Sequence, residues 1–276
     1  MKFTTPSFFA FIILVSCQNP DTSLENSATI ESAKIRNAFL PIITGDWVET
    51  SFMDTLKRTK SPYNSQDALA NIVQFSIDSS NITADSMEIG AMNIHEGSNL
   101  IIHFRLGKLP TSLPLDLNDY DNKTNYYELG YTILNRDTTL VLYQYNANNK
   151  LISQTRYSKV PPNKVGAFAF TVNKTFFSGT YEYIDSTKID EQVQFTNDGI
   201  VKGIPDYSNY YVLTDFVAET DSSTDEVCFN IQTKSQICYT YKFNQDTLLI
   251  YERIEDQNRN FIKLGDVKYV LLKKTK

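Results

Sequence analysis

From Asp46 onward the chain is written in short runs in which apolar residues recur at every second position and which end on turn-forming residues. Period-2 alternation bounded by Gly, Pro, Asn and Asp marks β-strands. The runs read as strands are Asp46–Phe52, Gln74–Ile77, Met87–Ile89, Asn99–Arg105, Tyr127–Leu134, Thr138–Tyr145 and Leu151–Tyr157. Pro161-Pro162-Asn163-Lys164 breaks the pattern, and a second set follows. It runs through Thr180–Ile184, Gln192–Thr196, Ile200–Ile204, Tyr210–Phe216, Val227–Gln232, Ile237–Phe243, Thr247–Arg253, Phe261–Leu264 and Val267–Leu272. Asn146–Asn149 and Asn197-Asp198-Gly199 are tight-turn signals. Helical spacing is confined to Ser65–Ile72, with Ser65 as the candidate N-cap, and to a short stretch near Ile30–Phe39. So many short strands imply an all-β antiparallel sandwich or barrel.

The two sets echo each other. Thr44-Gly45-Asp46-Trp47-Val48-Glu49 is repeated as Ser178-Gly179-Thr180-Tyr181-Glu182-Tyr183, and Asn135-Arg136-Asp137-Thr138 as Asn244-Gln245-Asp246-Thr247. Two tandem units are expected, over 39–160 and 165–276. Gly45-Asp46-Trp47, after the apolar approach Phe39–Ile43, resembles the Gly-x-Trp opening of lipocalins and of smaller lipocalin-like bacterial lipoproteins. Gly179-Thr180-Tyr181 is a degenerate copy. The resemblance implies a barrel of about eight strands per unit, with a pocket or a packed interior. It makes Trp47 and Tyr181 structural plugs of the closed barrel ends. Thr214-Asp215-Phe216 is similar to the lipocalin Thr-Asp-Tyr motif but lies too close to Gly179 for that role.

The beginning of the chain carries a different signal. Lys2 precedes the apolar run Phe8–Val15. As a helix that run spans only ~12 Å, against a hydrocarbon core of ~30 Å, so it reads as a secretory leader and not as a membrane span. Leu14-Val15-Ser16-Cys17 resembles the lipobox of bacterial lipoproteins. The resemblance implies cleavage of 1–16 and acylation of Cys17, which becomes the membrane anchor; each buried methylene of such chains contributes ~0.8 kcal/mol. Gln18 in place of Asp favours, by the same resemblance, the outer membrane of a Gram-negative envelope. Residues 17–38, polar and rich in Ser, Asn and Glu, read as a tether.

Composition narrows the function. A net charge of -6 argues against nucleic acid as a partner. With two histidines and three cysteines there is little material for His-based metal or acid–base chemistry. Pairing the apolar faces of the strands around Val227 and Tyr239 sets Phe229 opposite Ile237 and Cys228 opposite Cys238, within reach of a disulfide in an oxidising envelope. Two reduced side chains in a shifted register are the other reading. His95 and His103 fall on the solvated face of an expected hairpin whose turn is Glu96–Asn99, with Ile94 pairing Leu100 or Ile102. The acidic stretch Asp116, Asn118, Asp119, Asp121 and Asn122 lacks the Gly and Glu of a calcium loop. It belongs to a long connection, Leu106–Asn125, apolar enough to fold over a barrel mouth as a lid or to pack on the neighbouring unit. No nucleophile elbow, P-loop, dinucleotide fingerprint or zinc-protease motif occurs. No cofactor or metal is called for. The expectation is a non-enzymatic envelope lipoprotein that binds a hydrophobic small molecule or a partner protein, with a scaffold and a carboxylate hydrolase as alternatives.

Overall fold

In the computed structural model, which describes residues 22–184, 192–216, 224–256 and 261–274, the alternating runs become sixteen antiparallel strands in two sets of eight. The first set comprises β1 (Gly45–Glu49), β2 (Gln74–Ile77), β3 (Ser86–Met92), β4 (Gly97–His103), β5 (Ser112–Leu115), β6 (Tyr126–Leu134), β7 (Asp137–Tyr145) and β8 (Leu151–Val160). These close into a barrel in chain order, with β8 returning to β1 through Asp46↔Val160 and Glu49↔Tyr157. Every second residue faces in, so Phe75, Ile77, Met87, Ile89, Leu100, Ile102, Leu129, Leu140 and Tyr157 form one core.

The second set repeats the circuit: β9 (Gly179–Tyr183), β10 (Gln192–Phe195), β11 (Val201–Lys202), β12 (Tyr210–Val212), β13 (Glu226–Phe229), β14 (Ile237–Asn244), β15 (Thr247–Asp256) and β16 (Phe261–Lys273). β16 pairs back onto β9. The seam between β11 and β12 is held by the Ile200↔Asn209 bridge and by Tyr210 N–H donating to Gly199 O at 2.7 Å. The molecule is thus a pair of tandem, lipocalin-like eight-stranded barrels. The echoing Asn-x-Asp-Thr segments are the β6–β7 and β14–β15 turns. Asn135 (φ 52°) and Arg136 (φ 74°) both adopt the left-handed conformation that a two-residue hairpin needs.

Several local expectations are corrected. The polar segment before the first barrel is helical from Thr22 to Ile43 (α1) rather than a tether with a short helix. Its Ile35, Phe39 and Ile43 are spaced one turn apart and buried in the first core. The run Asp46–Phe52 leaves the sheet at Glu49, whose carboxylate accepts Phe52 N–H at 3.1 Å and starts helix α2 (Thr50–Thr59). Ser65–Ile72 is no α-helix: Tyr63–Ala68 form a 3₁₀ turn, and the Ser65 hydroxyl donates to Ser61 O instead of capping. The connection Leu106–Asn125 contains the four residues of β5, so part of the supposed lid is barrel wall. Phe261–Leu264 and Val267–Leu272 are one strand, whose pairing with β15 shifts register around Tyr251.

Sequence also predicts a boundary at 161–164, yet the second core crosses it. Phe52, Met53 and Leu56 of α2 pack with Phe168, Phe170 and Val172 of α3 (Ala167–Val172). The Phe52 and Phe168 rings stack 5.7 Å apart. Lys60, just after α2, donates to Gln245 O at 2.5 Å and pairs with Asp246 at 3.2 Å, at the closed end of the second barrel. Beside it Asp225 is buried and accepts Tyr63 N–H at 2.8 Å. Burial pushes the Asp225 carboxyl up to about 6, against hydrogen bonds from Ser61 and Tyr63 that oppose the shift. The folded pKa lies above the unfolded one, so the contribution to stability is full below the unfolded value of 3.8 and is lost as pH rises through about 6. At roughly 1.4 kcal/mol per unit this amounts to about 2–3 kcal/mol. Asp225→Asn keeps the acceptor and removes the proton, so wild type loses stability relative to the variant between pH 4 and 6 in urea titrations. Parallel curves would refute the assignment.

Candidate functional site

Both barrels are closed at the end where the repeated Gly-x-aromatic sits, and by the same device. Trp47 is fully buried and its indole N–H donates to Ile43 O, the last turn of α1, at 2.6 Å. Tyr181 is fully buried and its hydroxyl donates to Phe177 O, in the π-helical turn Asn173–Phe177 that extends α3, also at 2.6 Å. The Lys159 ammonium lies 5.3 Å from the Trp47 ring and the Lys273 ammonium 5.5 Å from the Tyr181 ring. Each lysine stem passes over the preceding glycine: a Cβ at Gly45 would meet Lys159 Cε at 2.7 Å, and one at Gly179 would meet Lys273 Cε at 2.6 Å. Gly45 at φ 126° and Gly179 at φ 152° also occupy backbone that side chains disfavour. The lysines are not part of the sequence motif, since each comes from the last strand of its barrel.

The opposite ends of the two barrels differ. In the first, a cavity of about 910 Å³ opens at the mouth. Leu100, Tyr127, Leu142, Thr155 and Tyr157 form its barrel walls. The rim is built from Leu69–Ile72 between β1 and β2, the β3–β4 turn Asn93–Glu96, and the β5–β6 loop Asp116–Asp121. Tyr157 fastens the first rim segment by donating its hydroxyl to Ile72 O at 2.9 Å. Asp119 shapes the loop: its carboxylate accepts the N–H groups of Asp121 and Asn122 at 2.9 and 3.1 Å. It also accepts the amides of Asn125 and Gln144, each at 2.7 Å. These bonds hold the Asp119 carboxyl below the ordinary carboxylate range, led by the one from Asn125. The acidic stretch is therefore a hydrogen-bonded rim.

In the second barrel the space is filled. Phe177, Phe195, Tyr210 and Tyr241 are fully buried, with ring centroids 5.1–5.3 Å apart from Phe177 to each of the others. At its mouth Tyr207 stacks on Phe229 at 4.5 Å, and its hydroxyl meets that of Tyr239 at 2.6 Å. A depression of about 590 Å³ lies beside the disulfide, but its charges are already paired, Arg253 with Glu226 at 2.7 Å and Lys268 with Glu252 at 3.8 Å.

Cys228 and Cys238 are bonded across β13 and β14, with Val227↔Tyr239 and Phe229↔Ile237 beside them, the register that pairing the apolar faces predicts. Closing this ten-residue separation contributes up to ~3 kcal/mol in the chain-entropy view. The histidine hairpin is differently registered: its turn is Asn93–Glu96, and Ile89 and Met87, not Ile94, face Leu100 and Ile102. His95 bonds the Asp215 carboxylate at 2.7 Å, linking the first mouth to the second unit, and His103 bonds Asp116 at 2.9 Å. Thr214-Asp215-Phe216 therefore serves as a contact between units. Among the described residues no group of three or more His, Cys, Asp or Glu is placed to hold a metal, and no helix is long and apolar enough to cross a membrane. Cys17 and the leader lie outside the described residues.

Fold and cavity together define a tandem β-barrel protein with one open interior and one filled interior. Comparison with protein-family models, curated proteins and solved structures returned no match.

Proposed function

We propose that the first barrel binds a small molecule with an apolar body in its mouth, without transforming it, and that the second barrel braces it. The observation that carries this reading is the contrast between two copies of one fold, one with a cavity of about 910 Å³ and one packed with aromatic rings. The volume falls in the ~300–1,000 Å³ range of small-molecule pockets, and an apolar wall with a polar rim is what such pockets present. Nile red, a neutral dye that brightens in apolar surroundings, should bind the full chain at one saturable site. No saturable brightening would overturn the reading.

The body is proposed to hang from Cys17 on the outer membrane. The order of Lys2, the apolar run Phe8–Val15 and Leu14-Val15-Ser16-Cys17 supports this. An acidic chain gains nothing from an anionic surface, which leaves the acyl chains to hold it. Radiolabelled palmitate should enter the wild-type chain and not Cys17→Ala; equal labelling of the two would reject the anchor.

A further inference from the structure

We infer that the ligand of the first mouth is cationic, an amphiphile bearing an ammonium or amine head on an apolar body. This rests on the reading that the mouth binds a small molecule and goes beyond it by naming the charge. The chain carries 26 Lys and Arg residues, yet among the described residues none of them lines the cavity. Four carboxylates do: Glu96, Asp116, Asp119 and Asp121. The histidine of the rim, His95, is turned to a carboxylate outside the lining, Asp215. Asp116 is partnered by His103, which leaves Glu96 and the Asp119–Asp121 turn to carry most of the rim's negative charge. The hydrogen bonds that fix Asp119 keep it ionised and hold its loop at the rim.

The aromatic residues of the lining agree with this sign. Tyr127 in the wall and Tyr120 on the rim bring aromatic rings to the lining, and a cation over a ring face is attracted while an anion is not. Tyr120 is 97% exposed, unusual for a large aromatic side chain, and it stands between Asp119 and Asp121. Below this rim, Leu100 and Leu142 give the apolar body a wall to lie against. An anionic head would meet the like charges of Glu96, Asp119 and Asp121 around the rim, whereas a cationic head would meet opposite ones.

The test uses the full chain loaded with Nile red and two competitors with the same ten-carbon tail, decyltrimethylammonium and decyl sulfate, both below their micelle concentrations. The cation should displace the dye at about one-tenth the concentration the anion needs, and added salt should narrow that ratio. In Glu96→Gln/Asp121→Asn, which leaves the Asp119 hydrogen bonds in place, the ratio of the two competitors should fall to about threefold or less, whatever the variant's own affinity for the dye. Equal potency of the two competitors in wild type, or a ratio the variant leaves intact, would overturn the cationic assignment while the mouth stands as a binding site. Failure of wild type to take up the dye would remove the mouth itself.

Discussion

Trp47→Ala is expected to lower the unfolding free energy by about 3–5 kcal/mol, the range for truncating a buried aromatic side chain. The residue is fully buried where α1 meets β1, so nothing can collapse into the space without moving the helix. Two further losses follow. Ile43 O, at the end of a helix, loses the indole donor 2.6 Å away, and Lys159 loses the ring beneath its ammonium. Against a typical total of ~5–15 kcal/mol, this is enough to unfold a substantial fraction of molecules. The tandem copy supplies the control. Tyr181→Phe removes only the hydroxyl bond to Phe177 O and keeps the ring, so it should cost about 1–2 kcal/mol. Urea unfolding followed by circular dichroism measures both. Trp47 is the single tryptophan, so its fluorescence reports the first barrel of wild type separately. A Trp47→Ala loss no larger than that of Tyr181→Phe would contradict the plug.

The second large effect concerns binding. Ser153 and Thr155 sit two apart on β8 and so share a face; both line the cavity, and Thr155 pairs with Leu142 across β7. Ser153→Trp/Thr155→Trp sets two indoles side by side over the wall formed by Leu142 and Tyr157. Nile red affinity should fall by about a hundredfold, roughly the ~2.7 kcal/mol that displacing an apolar body from such a wall represents. Neither residue is in the packed core, so stability should change by less than ~1 kcal/mol. Undiminished dye binding in a folded variant would place the dye elsewhere.

The residues explain which parts of this were legible in the sequence. Period-2 alternation is dictated by burial of one strand face, so the strands and the tandem repeat could be read directly, and the Cys228–Cys238 register followed from the apolar pattern. What failed was decided by long-range contacts. β5 (Ser112–Leu115) contains Pro114 and too few residues to show a period, and only its neighbours β4 and β6 make it a strand. Helix α2 follows β1 without a turn residue, because the cap is the carboxylate of Glu49, itself the last strand residue. Helix α1 looks like a tether because its few apolar positions matter only against the barrel end they cover. The cavity was half legible: the acidic stretch and the apolar connection were visible, whereas the rim segment Leu69–Ile72 is placed by a tyrosine 85 residues away.

Native mass spectrometry of the chain purified from the cells that make it tests the central claim most directly. The account predicts a small-molecule adduct on wild type, stripped by decyltrimethylammonium and missing from Ser153→Trp/Thr155→Trp. Wild type without any adduct, or the same adduct on both proteins, would contradict it.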